Sequence, residues 1–138
     1  MLKVAKFGGT SVADSLQIEK IKSIVEADDD RRYIVVSAPG KRFEKDSKVT
    51  DLFYLFKNNL DANLPSDQIW GIIRDRFIAE EIALGNSGII GKELDIIKQK
   101  IEDGETTDYI VSRGEYLNAV LIAKYLGFDF VDAKDLIV

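Results

Sequence analysis

The chain of 138 residues has the length of one domain or a large piece of one, and its 46% hydrophobic content is ordinary for a protein with a core. A net charge of −5 excludes an extended nucleic-acid surface, because such a surface needs clustered Lys and Arg that acids do not offset. The lack of Cys and His excludes disulfides, thiolate nucleophiles and histidine proton shuttles. The remaining Lys, Arg, acids, hydroxyls and backbone amides suit chemistry that works by positioning and charge neutralisation, such as phosphoryl transfer.

A short strand over residues 2–7 is predicted to open the chain and to be buried. The pair Gly8 and Gly9 directly after it predicts a tight turn. A helix should follow, because Thr10 and Ser11 are good N-cap residues and apolar residues then recur at helical spacing as far as a solvated turn of three aspartates.

A second buried strand is predicted from Tyr33 to Val36, a β-branched and aromatic run that ends at the turn residues 37–40. Strand, helix and strand form a βαβ unit, whose right-handed crossover places the ends of both strands at one edge of a parallel sheet. Ligands of open α/β sheets bind at that edge. The sequence therefore predicts a ligand site where Phe7 and Ser37 meet.

Four further helices and a third strand are predicted along the rest of the chain. After an exposed polar loop at 41–48, they are a helix from Thr50 or Asp51, a helix capped by Ser66 that ends near Gly85, a helix over 92–102 that ends at Gly104, a helix from Thr107 or Asp108 to Leu126, and a strand over 128–131. So few strands among so many helices leave a parallel sheet with uncovered faces and edges. The sequence thus indicates part of a larger α/β fold, and no apolar run in it suits a signal peptide or a membrane span, so we expect a cytoplasmic protein.

Two segments at the predicted sheet edge carry groups suited to an anionic ligand. In the first, residues 6–12, paired glycines let backbone amides approach phosphate oxygens, and Lys6 adds a full positive charge beside a helix N-terminus. The alternative is a plain turn with Lys6 in solvent. In the second, the Ser37 hydroxyl is placed to bind an acceptor or a phosphate oxygen, although Ser, Pro and Gly also occur together for turn geometry alone.

A third candidate cluster combines Thr50 with the segment Ser112–Glu115. Gly114 lies inside a helical pattern, where glycine costs about 1 kcal/mol relative to alanine and often marks a close backbone contact. Glu115 shares a helical face with Ser112 and offers an acceptor for an ammonium group. The alternatives are a helix N-cap for Thr50 and a surface ion pair with Arg113 or a lysine for Glu115.

Taken in this order, the segments resemble the aspartate kinase family of the amino-acid kinase fold. The match rests on KFGGTSV at Lys6–Val12, VVSAPG at Val35–Gly40, the pair Thr50 and Asp51, and SRGE at Ser112–Glu115. The resemblance implies a three-layer αβα fold with a mostly parallel sheet. It also implies ATP-dependent phosphorylation of the aspartate side-chain carboxylate, the first step towards lysine, threonine and methionine.

The resemblance implies a role for each matching residue. Lys6 would neutralise charge on the transferring phosphoryl group, and Phe7, Gly8 and Gly9 would form the nucleotide-binding segment, the two glycines through their amides. The implied cofactors are ATP and a Mg²⁺ ion that bridges phosphate oxygens, with no metal ligand from this chain. The residues expected to contact aspartate are Ser37 and Thr50, with Glu115 as the receptor of the α-ammonium group.

Residues 1–138 match only the beginning of the family's enzyme. The nucleotide-binding second half and the regulatory ACT domains have no counterpart in them, so we expect this chain to be inactive alone and the full-length protein to be a homo-oligomer. The expected partners are aspartate and ATP, with neither nucleic acid nor membrane. Two other interpretations remain open: a kinase for another amino acid or a nucleotide, and a noncatalytic substrate-binding or interaction domain.

Overall fold

A computed structural model describes residues 1–86, 88–132 and 135. It confirms the predicted βαβ beginning and the four helices after it. No helix within these ranges is both long and apolar enough to cross a membrane. The elements in chain order are β1 (Lys3–Phe7), a 3-10 turn (Thr10–Val12), α1 (Ser15–Glu26), β2 (Arg31–Val36), α2 (Val49–Asp61), α3 (Asp67–Ala83), α4 (Ile90–Glu102) and α5 (Thr107–Leu126).

The strands β1 and β2 pair in parallel, with Phe7 opposite Val36. One face of this sheet packs on the core through Phe7, Ile34 and Val36. The other face is uncovered, with Val4 69% and Tyr33 58% exposed. The prediction of two buried strands is therefore wrong for one face, because a parallel sheet is buried on both faces only where helices cover both.

The core lies among the helices. Trp70 of α3 stacks against Phe53 and Phe56 of α2, with ring centroids 6.2 and 5.1 Å apart. Phe77 of α3 and Leu117 of α5 are fully buried beside them. The resulting layer of helices supports the covered face of the sheet and fixes the positions of the loops at its edge.

The predicted third strand at 128–131 is wrong. These residues have no regular secondary structure, and the only strand pairing in the described part of the chain is between β1 and β2. Gly127 ends α5 with φ 74°, and the Phe128 N–H closes the helix by donating to the Ala123 carbonyl at 2.8 Å. A strand requires a neighbouring strand for its backbone bonds, whereas Phe130 packs its ring on Tyr116 at 5.4 Å.

The predicted start of the first helix is also wrong. Asp14 caps α1, and its carboxylate accepts from the Gln17 N–H at 3.0 Å. Thr10 and Ser11 lie in the preceding 3-10 turn, where the Ser11 N–H donates to the Gly8 carbonyl at 3.1 Å. The chain after the glycines thus makes a tight turn first, and the helix begins where a carboxylate is available to cap it.

The helix α2 begins at Val49, so Thr50 lies in its first turn and is not the N-cap. Lys48 holds the cap position without a side-chain capping bond. The start is fixed by the Val49 N–H, which donates to the Pro39 carbonyl at 3.1 Å. At the end of α4, Gly104 has φ 101°, which confirms the predicted stop.

Candidate active site

The two loops that follow the strands touch each other directly. The Gly40 N–H donates to the Gly9 carbonyl at 2.9 Å, and the Ser37 N–H donates to the Phe7 carbonyl at 3.0 Å. A Cβ atom at Gly40 would lie 2.7 Å from the Gly9 carbonyl carbon, closer than side chains approach backbone. Only glycine fits at Gly40, and the predicted meeting of the two strand ends is confirmed.

Lys6 lies on the uncovered face of the sheet beside Val35 and is exposed. It has no ion pair in the described part of the chain. Phe7 packs against the core, so only its backbone borders the loop. The N–H groups of Gly8 and Gly9 donate to no acceptor among the described residues. One free ammonium group and two free amides thus flank the turn, an arrangement that suits phosphate oxygens.

The helix α5 packs closely on the loop after β2 and on the start of α2. A Cβ atom at Gly114 would lie 3.0 Å from the Ala38 Cβ and 3.2 Å from the Val49 Cγ1. The predicted close contact at Gly114 is therefore confirmed. Because Thr50 follows Val49 and Glu115 follows Gly114, the backbones of both residues lie near the loop that begins at Ser37.

Glu115 is exposed and forms no ion pair among residues 1–86, 88–132 and 135. Arg113 is not its partner. The Arg113 guanidinium is buried between the rings of Tyr109 and Tyr116, 4.7 and 4.5 Å from their centroids, and lies 3.5 Å from the Asp132 carboxylate. Arg113 therefore anchors the segment after α5 and leaves the Glu115 carboxylate available.

Sequence reasoning missed Asn118, which is fully buried on α5. Its Nδ2 donates to the Ser37 carbonyl at 2.8 Å, so it supports the predicted substrate segment from beneath. Asn118 lies one turn after Gly114 and one residue after Leu117, in the buried register of the helix. The sequence did hold one sign of this role, because Asn118 is a polar residue at a helix position where apolar residues are expected.

Arg76 was also missed, although it follows the buried Ile73 at helical spacing on α3. It is 8% exposed and donates to the backbone carbonyls of Ser47 and Gly40. Its neighbour Asp46 accepts from Arg42 at 2.6 Å, and this bond holds the pKa of the Asp46 carboxyl well below its usual range. The buried guanidinium of Arg76 and the ionised carboxylate of Asp46 therefore lie together where the loop after β2 meets α3.

Glu80 lies one turn after Arg76 on α3 and is also buried. Its Oε2 has no hydrogen-bond partner among the described residues. Burial raises the pKa of Glu80 to about 8, and the nearby charge of Arg76 opposes the shift only in part. The folded chain therefore holds this carboxyl group largely protonated at neutral pH.

This protonation predicts a pH-dependent stability. The Glu80 pKa is about 8 in the folded chain against an ordinary value of 4.5, so the unfolding free energy should fall as pH rises between those values. The slope is about 1.4 kcal/mol per pH unit at most. Glu80→Gln removes the titration, so we expect the variant to be more stable than wild type at pH 8 and nearly equal to it below pH 5.

Urea unfolding of wild type and Glu80→Gln between pH 5 and 9 measures this difference. Glu19→Gln, which makes the same substitution at an exposed position on α1, is the matched control. A difference in unfolding free energy between wild type and Glu80→Gln that stays constant across this pH range would contradict the raised pKa of Glu80.

Comparisons with known proteins identify the family to which this chain belongs. The profile of the amino acid kinase family matches residues 1–138. Aspartokinase 3 of Bacillus subtilis is 36% identical over 140 residues, a match that covers 96% of this chain and 31% of that protein. The structure of Clostridium acetobutylicum aspartate kinase matches with a TM-score of 0.91 and 45% identity, over 96% of this chain and 30% of that one.

Escherichia coli aspartokinase III in complex with aspartate and ADP (R-state) matches with a TM-score of 0.72 and 26% identity, over 92% of this chain and 29% of that chain. The chain therefore spans about 30% of the length of the relatives it matches. Its mixed α/β architecture corresponds to an amino-terminal part of their fold.

Proposed function

This chain belongs to the amino acid kinase family, and on that premise we propose that it is the amino-terminal part of an aspartate kinase. Such an enzyme transfers the γ-phosphoryl group of ATP to the side-chain carboxylate of aspartate. The observation that carries the proposal is the backbone contact between Gly9 and Gly40, because it joins the turn beside Lys6 to the segment that begins at Ser37. The relatives named aspartokinase support the same reaction.

Lys6 and the glycine turn are proposed to receive the nucleotide phosphates. The exposed ammonium group and the two free amides fit a polyphosphate, since each offers an unpaired donor to an anion. Mg²⁺, if bound with the nucleotide, would add charge neutralisation on the phosphates beside Lys6. No group of three or more acidic side chains that could hold a metal lies in the described ranges.

The acceptor aspartate is proposed to lie between Ser37, Thr50 and Glu115. The free carboxylate of Glu115 suits the α-ammonium group, and the two hydroxyl groups suit carboxylate oxygens. The acceptor carboxylate has an ordinary pKa of about 3.9 and is already ionised at neutral pH, so no general base is needed. This agrees with a chain that contains no histidine.

Activity is proposed for the full product of the gene and not for these 138 residues alone, because relatives named aspartokinase are about three times as long. A coupled ATP assay with hydroxamate trapping tests the proposal. Acyl phosphate formation with aspartate, and not with glutamate or acetylglutamate, is the expected result. Preference for another acceptor would identify a different kinase of the family, and no turnover with any acceptor would favour a noncatalytic domain.

Gly8 provides a sharper test of the nucleotide site. A Cβ atom there would meet nothing within 4 Å, and the φ angle of Gly8 is not positive, so alanine can adopt the same backbone conformation. Gly8→Ala should therefore not lower the unfolding free energy, and it should raise it by at most about 1 kcal/mol. We expect kcat/KM for ATP to fall at least about tenfold, because the methyl group would occupy space that a phosphate needs.

The control is Gly71→Ala in α3, where an added Cβ also meets nothing within 4 Å. It should leave the kinetics for both substrates unchanged. Kinetics for ATP equal to wild type in Gly8→Ala would show that the nucleotide does not approach this glycine.

A further inference from the structure

The Arg76 guanidinium links three segments that are far apart in the sequence. It donates to the carbonyl oxygens of Ser47 at 2.7 Å and Ala13 at 3.2 Å, and to that of Gly40. These acceptors lie 29, 63 and 36 residues away from Arg76. All three are backbone groups of loops, and none belongs to a strand or an α-helix.

Each acceptor belongs to a segment of the candidate active site. Ala13 directly follows the 3-10 turn that begins after Gly9. Gly40 is the residue whose backbone touches Gly9. Ser47 precedes the start of α2, where Thr50 lies in the first turn. One guanidinium group therefore sets the spacing between the proposed phosphate-binding turn and the proposed aspartate-binding segments.

The burial of this charge calls for an explanation beyond packing. A buried guanidinium is costly unless its donors are used and a counter-charge is near. The Asp46 carboxylate lies 3.8 Å from it, and both side chains are under 10% exposed. An apolar residue at this position, one turn after the buried Ile73 on α3, would avoid that cost. The planar fork of arginine, in contrast, reaches several carbonyls in fixed directions.

We infer that Arg76 is a positioning residue that holds the glycine turn and the substrate segment in register for phosphoryl transfer. This inference rests on the proposed function. Its removal should loosen the loops at the sheet edge and leave the helical core in place, because its bonds all go to the loops. A misplacement of about 1 Å at reacting groups lowers the rate about a hundredfold, so a partial loss of register is measurable.

The test compares Arg76→Lys with Arg74→Lys in the full product of the gene. Arg74 lies on the same helix and is half-buried, and its Nη1 donates to the Asp95 carboxylate of α4 at 2.8 Å. Lysine keeps the charge and loses the fork. We expect Arg76→Lys to lower kcat at least about tenfold with KM for ATP and aspartate within about threefold, because the lost register acts in the transition state. Arg74→Lys should match wild type.

Amide hydrogen exchange supplies a second readout that does not depend on turnover. In Arg76→Lys, exchange should become faster in segments 8–13 and 40–47, with unchanged rates in α4 and α5. If this variant folds poorly, Arg76→Gln, which has two N–H donors and no charge, is compared with Arg74→Gln in the same measurements. Wild-type kcat per folded molecule, or wild-type exchange in both segments, would overturn the inference. A wild-type protein without aspartate kinase activity would refute the proposed function, and loop exchange would still decide the role of Arg76.

Discussion

Replacing Lys6 with alanine in the full product of the gene should lower kcat for aspartyl phosphate formation by about 10²–10³-fold. The side chain is exposed on the sheet beside the glycine turn and forms no ion pair in the described part of the chain, so its charge is free to meet that of a phosphoryl group. For the same reason the variant should keep the wild-type unfolding midpoint. The hydroxamate assay at saturating substrate and a urea titration measure the two quantities.

Lys3→Ala is the matched control, because Lys3 is another exposed lysine of β1 whose Nζ bonds the Asp28 carboxylate at 2.5 Å. We expect its kcat to stay within about twofold of wild type, since exposed pairs contribute little. An equal loss of kcat in both variants would show that the total positive charge of β1 matters and not Lys6 in particular. Full activity in Lys6→Ala would remove Lys6 from the proposed site.

Gly40→Ala should destabilise the fold by about 1–3 kcal/mol, the usual cost of forcing a methyl group into filled space. The new Cβ would lie 2.7 Å from the carbonyl carbon and 2.9 Å from the carbonyl oxygen of Gly9, and backbone cannot rotate away as a side chain can. Relief requires the loss of the hydrogen bond between these two residues. Urea unfolding should therefore show a lower midpoint, and the assay should show lower kcat in the remaining folded enzyme.

Gly71→Ala isolates the effect of the location from that of the substitution. Gly71 lies inside α3 with open space at its Cβ position, so alanine should stabilise the chain by about 0.5–1 kcal/mol through helix propensity. Stability of Gly40→Ala at or above the wild-type value would show that the two loops are not in contact in solution.

Local patterns predicted the order of the helices and of the first two strands, and they predicted that the loops after these strands meet. Helices follow from apolar spacing, and their ends follow from glycines such as Gly104 and Gly127, because both signals lie within a few neighbouring residues. The contact made by Gly114 was predictable for the same reason, since a glycine inside a helix has a cost that packing must offset.

Properties that depend on distant neighbours were predicted poorly. Burial of β1 and β2 depends on whether layers cover both faces, and a strand at 128–131 depends on a neighbouring strand to pair with. The contacts of Arg76 and Asn118 join residues between 29 and 81 positions apart in the sequence. The sequence indicated them only by placing a polar residue where the helix pattern calls for an apolar one. The roles of the site residues remain predictions for the assays above.

The loop at 41–48 is closed at its base by the backbone bonds of Gly40 to Gly9 and of Val49 to Pro39. Its tip is a turn in which the Asp46 N–H donates to the Phe43 carbonyl at 3.0 Å. With both ends held by the folded body, doubling the length of the tip would cost only about 0.6 kcal/mol of closure entropy. Insertions beside the exposed Phe43, which leave the contacts of Asp46 and Ser47 with Arg76 in place, can therefore accumulate without separating the start of α2 from the glycine turn.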